Sequence, residues 1–460
     1  MEGRLCRLAD QEGRLASVAA QGVPDVNGVA RLMVRKRFLF VMGEGGGNVP
    51  PQLGLARRLV SRGHAVRVLT EPCLAGDVEA VGASYVAFTN APSRQDRSPA
   101  SDFVRDSEAM TPIGRLAAFR DRVIFGPAHA YAEDTGREID RWRPDVLAAD
   151  WIRTGIAVAG EAAGVPTALL VHGLNLLPEP GKPPPGFGFS PAQSAVGRMR
   201  DRLFGRGFMY LFNRGLPALN DARRSAGLPP LRHVLEHFEK PARFLCLYSE
   251  AFDLPADRRA ANLRYVGPVL EEPAWADAWA PPWPTDDSRP LVVVSMSTTF
   301  MEQGEVLRRW IEALSSMPTV RALVTVGPAL APSSFAATEN VRVVRSAPHQ
   351  EVFGHAAAVV THAGMGTVSR ALAHGLPLVC TPLGRDQDDI AARVTWHGAG
   401  LRTRHNASVP VLRTLIRRIL TEPTFKEGAV RLRSAIEGDL ASDRAVMELE
   451  ALAAPDGRRE

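Results

Sequence analysis

The sequence predicts an α/β protein built from two doubly wound domains that face each other across a cleft. Apolar runs typical of buried parallel strands alternate with helical patterns in both halves of the chain. Several of these strands end in glycine-rich or polar turns that lead directly into a helix, as in βαβ units. A segment rich in Pro and Trp, residues 271–289, separates the two halves and is typical of a linker.

Length and composition set limits on the class of protein. The chain has 460 residues, which is comfortable for two domains, and 45% of them are hydrophobic. No apolar run is long enough to span a membrane, so we expect no transmembrane segment. The formal net charge is +5, but the basic residues are spread along the chain. This favours a solvated surface, and we expect no nucleic-acid partner.

The cysteines indicate a reducing compartment. Cys6, Cys73, Cys246 and Cys380 are far apart and lack metal-ligand spacing. Cys246 and Cys380 lie in apolar strand patterns and are expected in the core. We therefore predict reduced thiols and a cytoplasmic location.

The predicted domain boundaries follow from these patterns. Residues 1–36 have no strong period and no signal-peptide pattern, so we expect a disordered leader, with translation starting at Met33. Residues 37–270 form the N-terminal domain and 271–289 the linker. Residues 290–435 form the C-terminal domain, followed by a final helix and tail over 436–460.

In the first half, three strands deliver polar residues to one edge of the predicted sheet. The strand Arg37–Met42 runs into a glycine-rich turn that contains Asn48, and a helix with early prolines follows. Strands are also predicted at 65–70, 82–88, 145–149, 167–171 and 243–248. The fourth strand of the chain ends at Asp150 and the fifth is followed by His172. The carboxyl ends of parallel strands share one edge, where open α/β folds bind ligands.

Residues 178–230 are the irregular part of this half. A segment rich in Pro and Gly precedes an amphipathic, basic stretch with several aromatic residues. Two interpretations stay open: an acceptor pocket lined by aromatic side chains, or helices that pack an apolar face and expose arginines.

The second half contains the most informative stretch, residues 346–401. A short strand ends at Thr361, and His362, Gly364, Gly366 and Thr367 follow at the start of a helix. Such a turn offers free backbone N–H groups and the positive end of a helix dipole, which suit a phosphate. The next strand is followed by Asp386 and Gln387. Together these features predict a sugar-diphosphate site, with the diphosphate on the glycines and Asp386 and Gln387 on sugar hydroxyls.

In this order, the histidine, spaced glycines, threonine, Gly-Leu-Pro at 375–377 and Asp-Gln resemble the donor signature of the inverting nucleotide-sugar-dependent glycosyltransferases. These include the UDP-glycosyltransferases and the bacterial enzymes that decorate macrolides and other natural products. The resemblance extends from Arg37 to the C-terminal helix. It implies the GT-B architecture, an N-terminal acceptor-binding domain, a C-terminal nucleotide-sugar-binding domain and a last helix that crosses back. It also implies that Thr298 lies near the β-phosphate and His349 near the nucleoside.

Two residues depart from the UDP-sugar pattern. Relatives often carry a ribose-gripping glutamate where this chain has Arg370, and plant relatives carry a base-stacking tryptophan where it has Ser346. Bacterial enzymes that use dTDP-deoxysugars often lack that glutamate. The donor is therefore expected to be a UDP- or dTDP-sugar, with no further cofactor.

The general base is the open question of the sequence. The family commonly has a histidine, oriented by an aspartate that matches Asp150, at the position that Asn48 fills here. An asparagine does not take up a proton at neutral pH. Asp150 is the first candidate, directly or through a water held by Asn48, and His172 is the second. The third possibility is an acidic acceptor that needs little help.

The sequence predicts no metal site, because helix N–H groups, His362 and Thr367 are expected to stabilise the leaving anion in place of a divalent cation. The predicted function is transfer of a hexose or deoxyhexose to a small hydrophobic acceptor by a monomer or homodimer. The alternatives are a nucleotide-sugar epimerase or hydrolase on the same fold, or a non-catalytic partner protein.

Overall fold

The computed structural model describes residues 35–98, 101, 103, 111–271, 279–297, 303–327 and 330–454. The expectations for the leader up to residue 34 and for Thr298 lie outside these residues.

Two parallel sheets organise the described chain. The first has the strands β1 (Arg37–Val41), β2 (Ala65–Thr70), β3 (Ser84–Ala87), β4 (Val146–Asp150), β5 (Thr167–Val171), β6 (Arg243–Cys246) and β7 (Leu263–Tyr265), in the order β3-β2-β1-β4-β5-β6-β7. The second has β8 (Leu291–Ser295), β9 (Arg321–Thr325), β10 (Val341–Val344), β11 (Ala358–Thr361), β12 (Leu378–Cys380) and β13 (Gly400–Arg402), in the order β10-β9-β8-β11-β12-β13. In each sheet the chain order reverses beside the first strand, and this reversal forms a topological switch point.

Helices connect the strands. Those of the first half are α1 (Val49–Ser61), α2 (Ala75–Ala80), α3 (Pro112–Phe119), α4 (Ala128–Trp142), α5 (Gly155–Ala163), α6 (Ala195–Asn213), α7 (Leu216–Ser225) and α8 (Leu235–Glu239). Those of the second half are α9 (Gly304–Ser315), α10 (His349–Phe353), α11 (Met365–Ala373), α12 (Gln387–Trp396), α13 (Val409–Thr421), α14 (Pro423–Ala441) and α15 (Arg444–Ala453). Among the residues described, no helix is long and apolar enough to cross a membrane.

Both faces of each sheet are covered, as expected for parallel strands. In β1, Phe38 and Phe40 pack with α1 and α15, whereas Leu39 and Val41 point to the opposite face, toward α4 and α5. The second sheet packs one face on α9 and α13 and the other on α11 and α12. The predicted fold class is therefore confirmed. The thiols of Cys246 and Cys380 are free and buried in this core, as predicted.

The carboxyl edges of the two sheets meet. Asp386, after β12, accepts a hydrogen bond of 3.1 Å from the backbone N–H of Leu174, after β5. Nearby, the guanidinium of Arg393 on α12 forms a buried ion pair of 2.8 Å with Asp253, which belongs to the first half. The cleft between the halves is thus bounded by the turns in which the sequence placed its polar residues.

Candidate functional site

An anion-binding turn lies where β11 passes into α11. The helix begins at Met365, and its N-cap residue is Gly364, which has no side chain to accept a hydrogen bond from the first turn. The N–H groups of the first turn therefore have no intrahelical partner and face outward. The imidazole of His362 folds over this turn, because its Nε2 lies only 2.5 Å from where a Cβ on Gly364 would stand. A glycine at 364 is therefore required for this close approach.

His362 is electrically neutral in this position. The side chain is 9% exposed. Burial, with a contribution from the positive charge of Arg385, lowers the pKa of His362 to about 4. At neutral pH the ring therefore acts as a neutral hydrogen-bonding group beside the helix terminus. Gly366 and Thr367 lie in the same first turn and are half-buried.

Asp386 and Gln387 are neighbours in the sequence, but their side chains make different contacts. The side-chain oxygen of Gln387 accepts hydrogen bonds from the backbone N–H groups of Leu383 and Gly384, at 2.7 and 3.1 Å. It thereby holds the turn after β12. Asp386 lies at the cleft edge and uses one carboxylate oxygen on Leu174.

His349, at the start of α10, lies near Arg370 of α11 and against the end of β8. The Nε2 of His349 is 3.1 Å from the Ser295 hydroxyl, and its ring stacks on Phe353 with centroids 4.8 Å apart. Burial, and to a lesser extent Arg370, lowers the pKa of His349 to about 3. Arg370 also donates a hydrogen bond to the backbone carbonyl of Glu271.

Asn48 is turned back onto its own loop. It is 5% exposed, and its Nδ2 donates a 2.7 Å hydrogen bond to the carbonyl of Gly43. Its Oδ1 is buried and has no hydrogen-bond partner among the described residues. No hydrogen bond joins Asn48 to Asp150 or His172 in the described structure.

Asp150 and His172, by contrast, are brought together. Asp150 ends β4 and is fully buried, and its Oδ1 lies 3.2 Å from the Nε2 of His172. The His172 side chain keeps 14% of its surface exposed. It is thus the member of the pair that reaches solvent.

Arg153 is a site residue that the sequence analysis missed. Its Nη1 lies 2.5 Å from Oδ2 of Asp150, and its Nη2 lies 3.4 Å from Glu71. The guanidinium fills the space beside Gly43, where a Cβ would overlap it. Burial raises the pKa of Asp150, but the positive charge of Arg153 and the hydrogen bond with His172 outweigh it, so the net shift is downward. The signal in the sequence was an arginine three residues after an acidic strand end.

Within the described ranges, no group of three or more His, Cys, Asp or Glu side chains is arranged to hold a metal ion.

Comparison with known proteins now identifies the family. Residues 271–453 match the family model described as "UDP-glucoronosyl and UDP-glucosyl transferase". The chain is 31% identical to 4'-demethylrebeccamycin synthase of Lentzea aerocolonigenes, over 86% of this chain and 94% of that protein. It is 28% identical to demethyllactenocin mycarosyltransferase of Streptomyces fradiae, over 85% of this chain and 80% of that protein.

A solved structure described as the glycotransferase of kitacinnamycin has the same fold. It is 21% identical, with a TM-score of 0.71 over 91% of this chain and 99% of that one. The chain belongs to the UDP-glucoronosyl and UDP-glucosyl transferase family. The family predicted from the motif that begins at His362 is confirmed, and the protein is a glycosyltransferase.

Proposed function

We propose that this protein is an inverting glycosyltransferase that moves a hexose or deoxyhexose from a UDP- or dTDP-sugar to a small hydrophobic acceptor. One observation carries the proposal. The contact between Asp386 and Leu174 brings the turn after β12 against the loop that follows His172. The anion-binding turn at α11 and the Asp150–His172 pair therefore open onto one cleft.

The leaving diphosphate is stabilised by the protein itself. The free N–H groups of the first turn of α11 and the positive dipole end meet the charge that develops on the phosphate oxygen. His362 and Thr367 add hydrogen bonds at the same turn. This arrangement supports a reaction that needs no divalent cation.

Arg370 supports a thymidine nucleotide at least as well as a uridine nucleotide. The arginine holds the Glu271 carbonyl and offers no carboxylate to a ribose 2′-hydroxyl. A deoxyribose lacks that hydroxyl. VinC, a glycosyltransferase of similar fold (TM-score 0.65, 20% identical), was solved in complex with dTDP.

His172 is the general base in this proposal, and Asp150 positions it. The ionised carboxylate of Asp150 carries no proton, so the hydrogen bond between them is donated by Nε2–H of His172. The lone pair is then on Nδ1 of the partly exposed ring. Asp150 itself is a poor base, because it is fully buried and Arg153 lowers its pKa.

The transfer step moves one proton to His172 and the glycosyl group to the acceptor. Nδ1 of His172 takes the proton of the acceptor hydroxyl while the acceptor oxygen bonds to the anomeric carbon. The bond from that carbon to the diphosphate oxygen breaks, and the diphosphate leaves with the electron pair. Asp150 stabilises the imidazolium that forms, and the attack from the opposite face inverts the anomeric centre.

A panel of UDP- and dTDP-sugars followed by thermal shift tests the donor. A donor present at about 100 times its Kd stabilises the folded state by about 2.7 kcal/mol. The stabilising donor is then incubated with hydrophobic acceptors, starting with those in the names of relatives: aklavinone, demethyllactenocin, oleandomycin and zeaxanthin. A glycosylated product with inverted configuration supports the proposal. Donor consumption without an acceptor indicates a hydrolase, and no donor binding indicates a non-catalytic protein.

A further inference from the structure

Large apolar side chains that remain exposed are concentrated on α6. Five of the nine exposed large hydrophobic side chains among the described residues lie on this one helix. Val196, Met199, Leu203 and Tyr210 are 72, 65, 68 and 69% exposed. Scattered exposed apolar residues need no explanation, but a contiguous set on one element indicates an interaction surface.

These four residues form one stripe, here called the α6 stripe. Their spacing of three, four and seven residues puts them on a single face of the helix. The opposite face is fixed to the body of the protein by Phe208 and Phe212, which are 7 and 5% exposed and stack with centroids 5.4 Å apart. The stripe therefore points outward because the helix is anchored through its other face.

A row of arginines runs beside the stripe. Arg198, Arg202 and Arg206 follow one another at intervals of four residues and are exposed. In the described part of the chain, no salt bridge joins any of them to an acidic side chain. The acidic residue of this helix, Asp201, is paired with Arg200 at 2.7 Å. The outward face of α6 is thus apolar and cationic, and among the residues of this helix no further acidic side chain balances the arginine row.

We propose that α6 docks on the surface of an anionic lipid bilayer. The α6 stripe enters the boundary between headgroups and acyl chains, and the arginine row lies at the level of the lipid phosphates. An outward apolar face bordered by Arg side chains is the pattern of a helix that lies in the plane of a membrane interface.

Charge favours the bilayer over a second copy of the chain as the occupant. An isologous dimer through this face buries the same patch from both copies. That would bring two unneutralised arginine rows into one interface, where like charges repel. An anionic bilayer instead supplies the missing negative charge to every arginine.

The test is co-sedimentation of the full chain with vesicles. Phosphatidylcholine vesicles with and without phosphatidylglycerol are compared at low and high salt. We expect binding to the anionic vesicles alone, weakened by salt. The variant V196S/M199S/L203S should bind roughly tenfold more weakly or worse. The variant R198Q/R202Q/R206Q should lose roughly a hundredfold in affinity.

A matched control carries Val411→Ser and Met447→Ser, which remove exposed apolar side chains elsewhere. It should bind anionic vesicles as the unchanged protein does, and all variants should keep their circular dichroism spectra and melting temperatures. The proposal is overturned if the unchanged protein does not bind anionic vesicles, or if either triple variant binds as well as it does. A dimer in lipid-free buffer that V196S/M199S/L203S converts to a monomer also overturns it, in favour of a contact between copies.

Discussion

The Nε2 of His172 lies 3.2 Å from Oδ1 of Asp150 at the carboxyl edge of the first sheet. The other carboxylate oxygen of Asp150 is held by Arg153 at 2.5 Å. The carboxylate is thus divided between a fixed buried cation and a partly exposed imidazole. We propose that His172 acts as the general base, the role that relatives give to a histidine at the position of Asn48.

Replacing Asn48 with His should not restore activity to a protein that lacks His172. The Asn48 side chain is buried and bonded to Gly43, and Arg153 already occupies Oδ2 of Asp150. We expect Asn48→His to lower the free energy of unfolding by about 1–3 kcal/mol, through the lost hydrogen bond and added bulk. Denaturant titration measures the stability, and the double variant Asn48→His, His172→Ala measures rescue. Recovery of turnover in the double variant would show that a histidine at position 48 can act as the general base, which would contradict this expectation.

Adding a methyl group at Gly364 should weaken nucleoside diphosphate binding. The new Cβ would stand 2.5 Å from Nε2 of His362 and push the ring off the turn. We expect a loss of about 1–3 kcal/mol in binding free energy by calorimetry, close to that of His362→Ala. Gly438→Ala on α14 is the control, because among the described residues no atom outside its own helix backbone and chain neighbours lies within 4 Å of where its Cβ would stand. Equal losses for the two glycine variants would contradict the proposed role of the His362 ring.

Sugar transfer should survive chelation of divalent ions. The first turn of α11 supplies unpartnered N–H groups where the leaving charge develops. We expect the initial rate of product formation to be unchanged by EDTA. Loss of turnover in EDTA with recovery on adding Mg²⁺ or Mn²⁺ would show that leaving-group stabilisation needs a metal.

Acid should destabilise the fold partly through His237. This side chain is 2% exposed. Burial, and to a lesser extent the positive charge of Arg223, lowers the pKa of His237 to about 3. Between that value and the unfolded value near 6.5, the unfolded state binds more protons, so stability falls as pH falls. The leucine variant His237→Leu does not titrate. Between pH 6 and pH 5 the unchanged protein should lose about 1 kcal/mol more than His237→Leu in the free energy of unfolding. Parallel pH dependences of the two proteins would exclude this contribution.

The main strands, the turn at His362 and the family were predictable from the sequence. The strands of both sheets could be predicted because apolar runs and Gly-rich turns are local sequence patterns. The pairing of Asp150 with His172 was only partly predictable, because both were placed at strand ends without a contact between them. The engagement of Arg153 by Asp150 and Glu71 was missed, since it depends on how β2, β4 and the loop at Gly43 pack in space. Gln387 was predicted to bind sugar, whereas the structure shows it also holding its own turn.

In the proposed mechanism His172, positioned by Asp150, takes the acceptor proton. The most direct measurement is kcat for His172→Ala and Asp150→Asn, with donor affinity measured by calorimetry on the same preparations. We expect a 10²–10⁴-fold fall in kcat for His172→Ala, the range of a general base, with donor Kd unchanged. The kcat of Asp150→Asn should also fall, because this variant lacks the charge that stabilises the imidazolium. Transfer by His172→Ala at the unchanged rate would contradict the account and return the base role to Asp150 or to the acceptor itself.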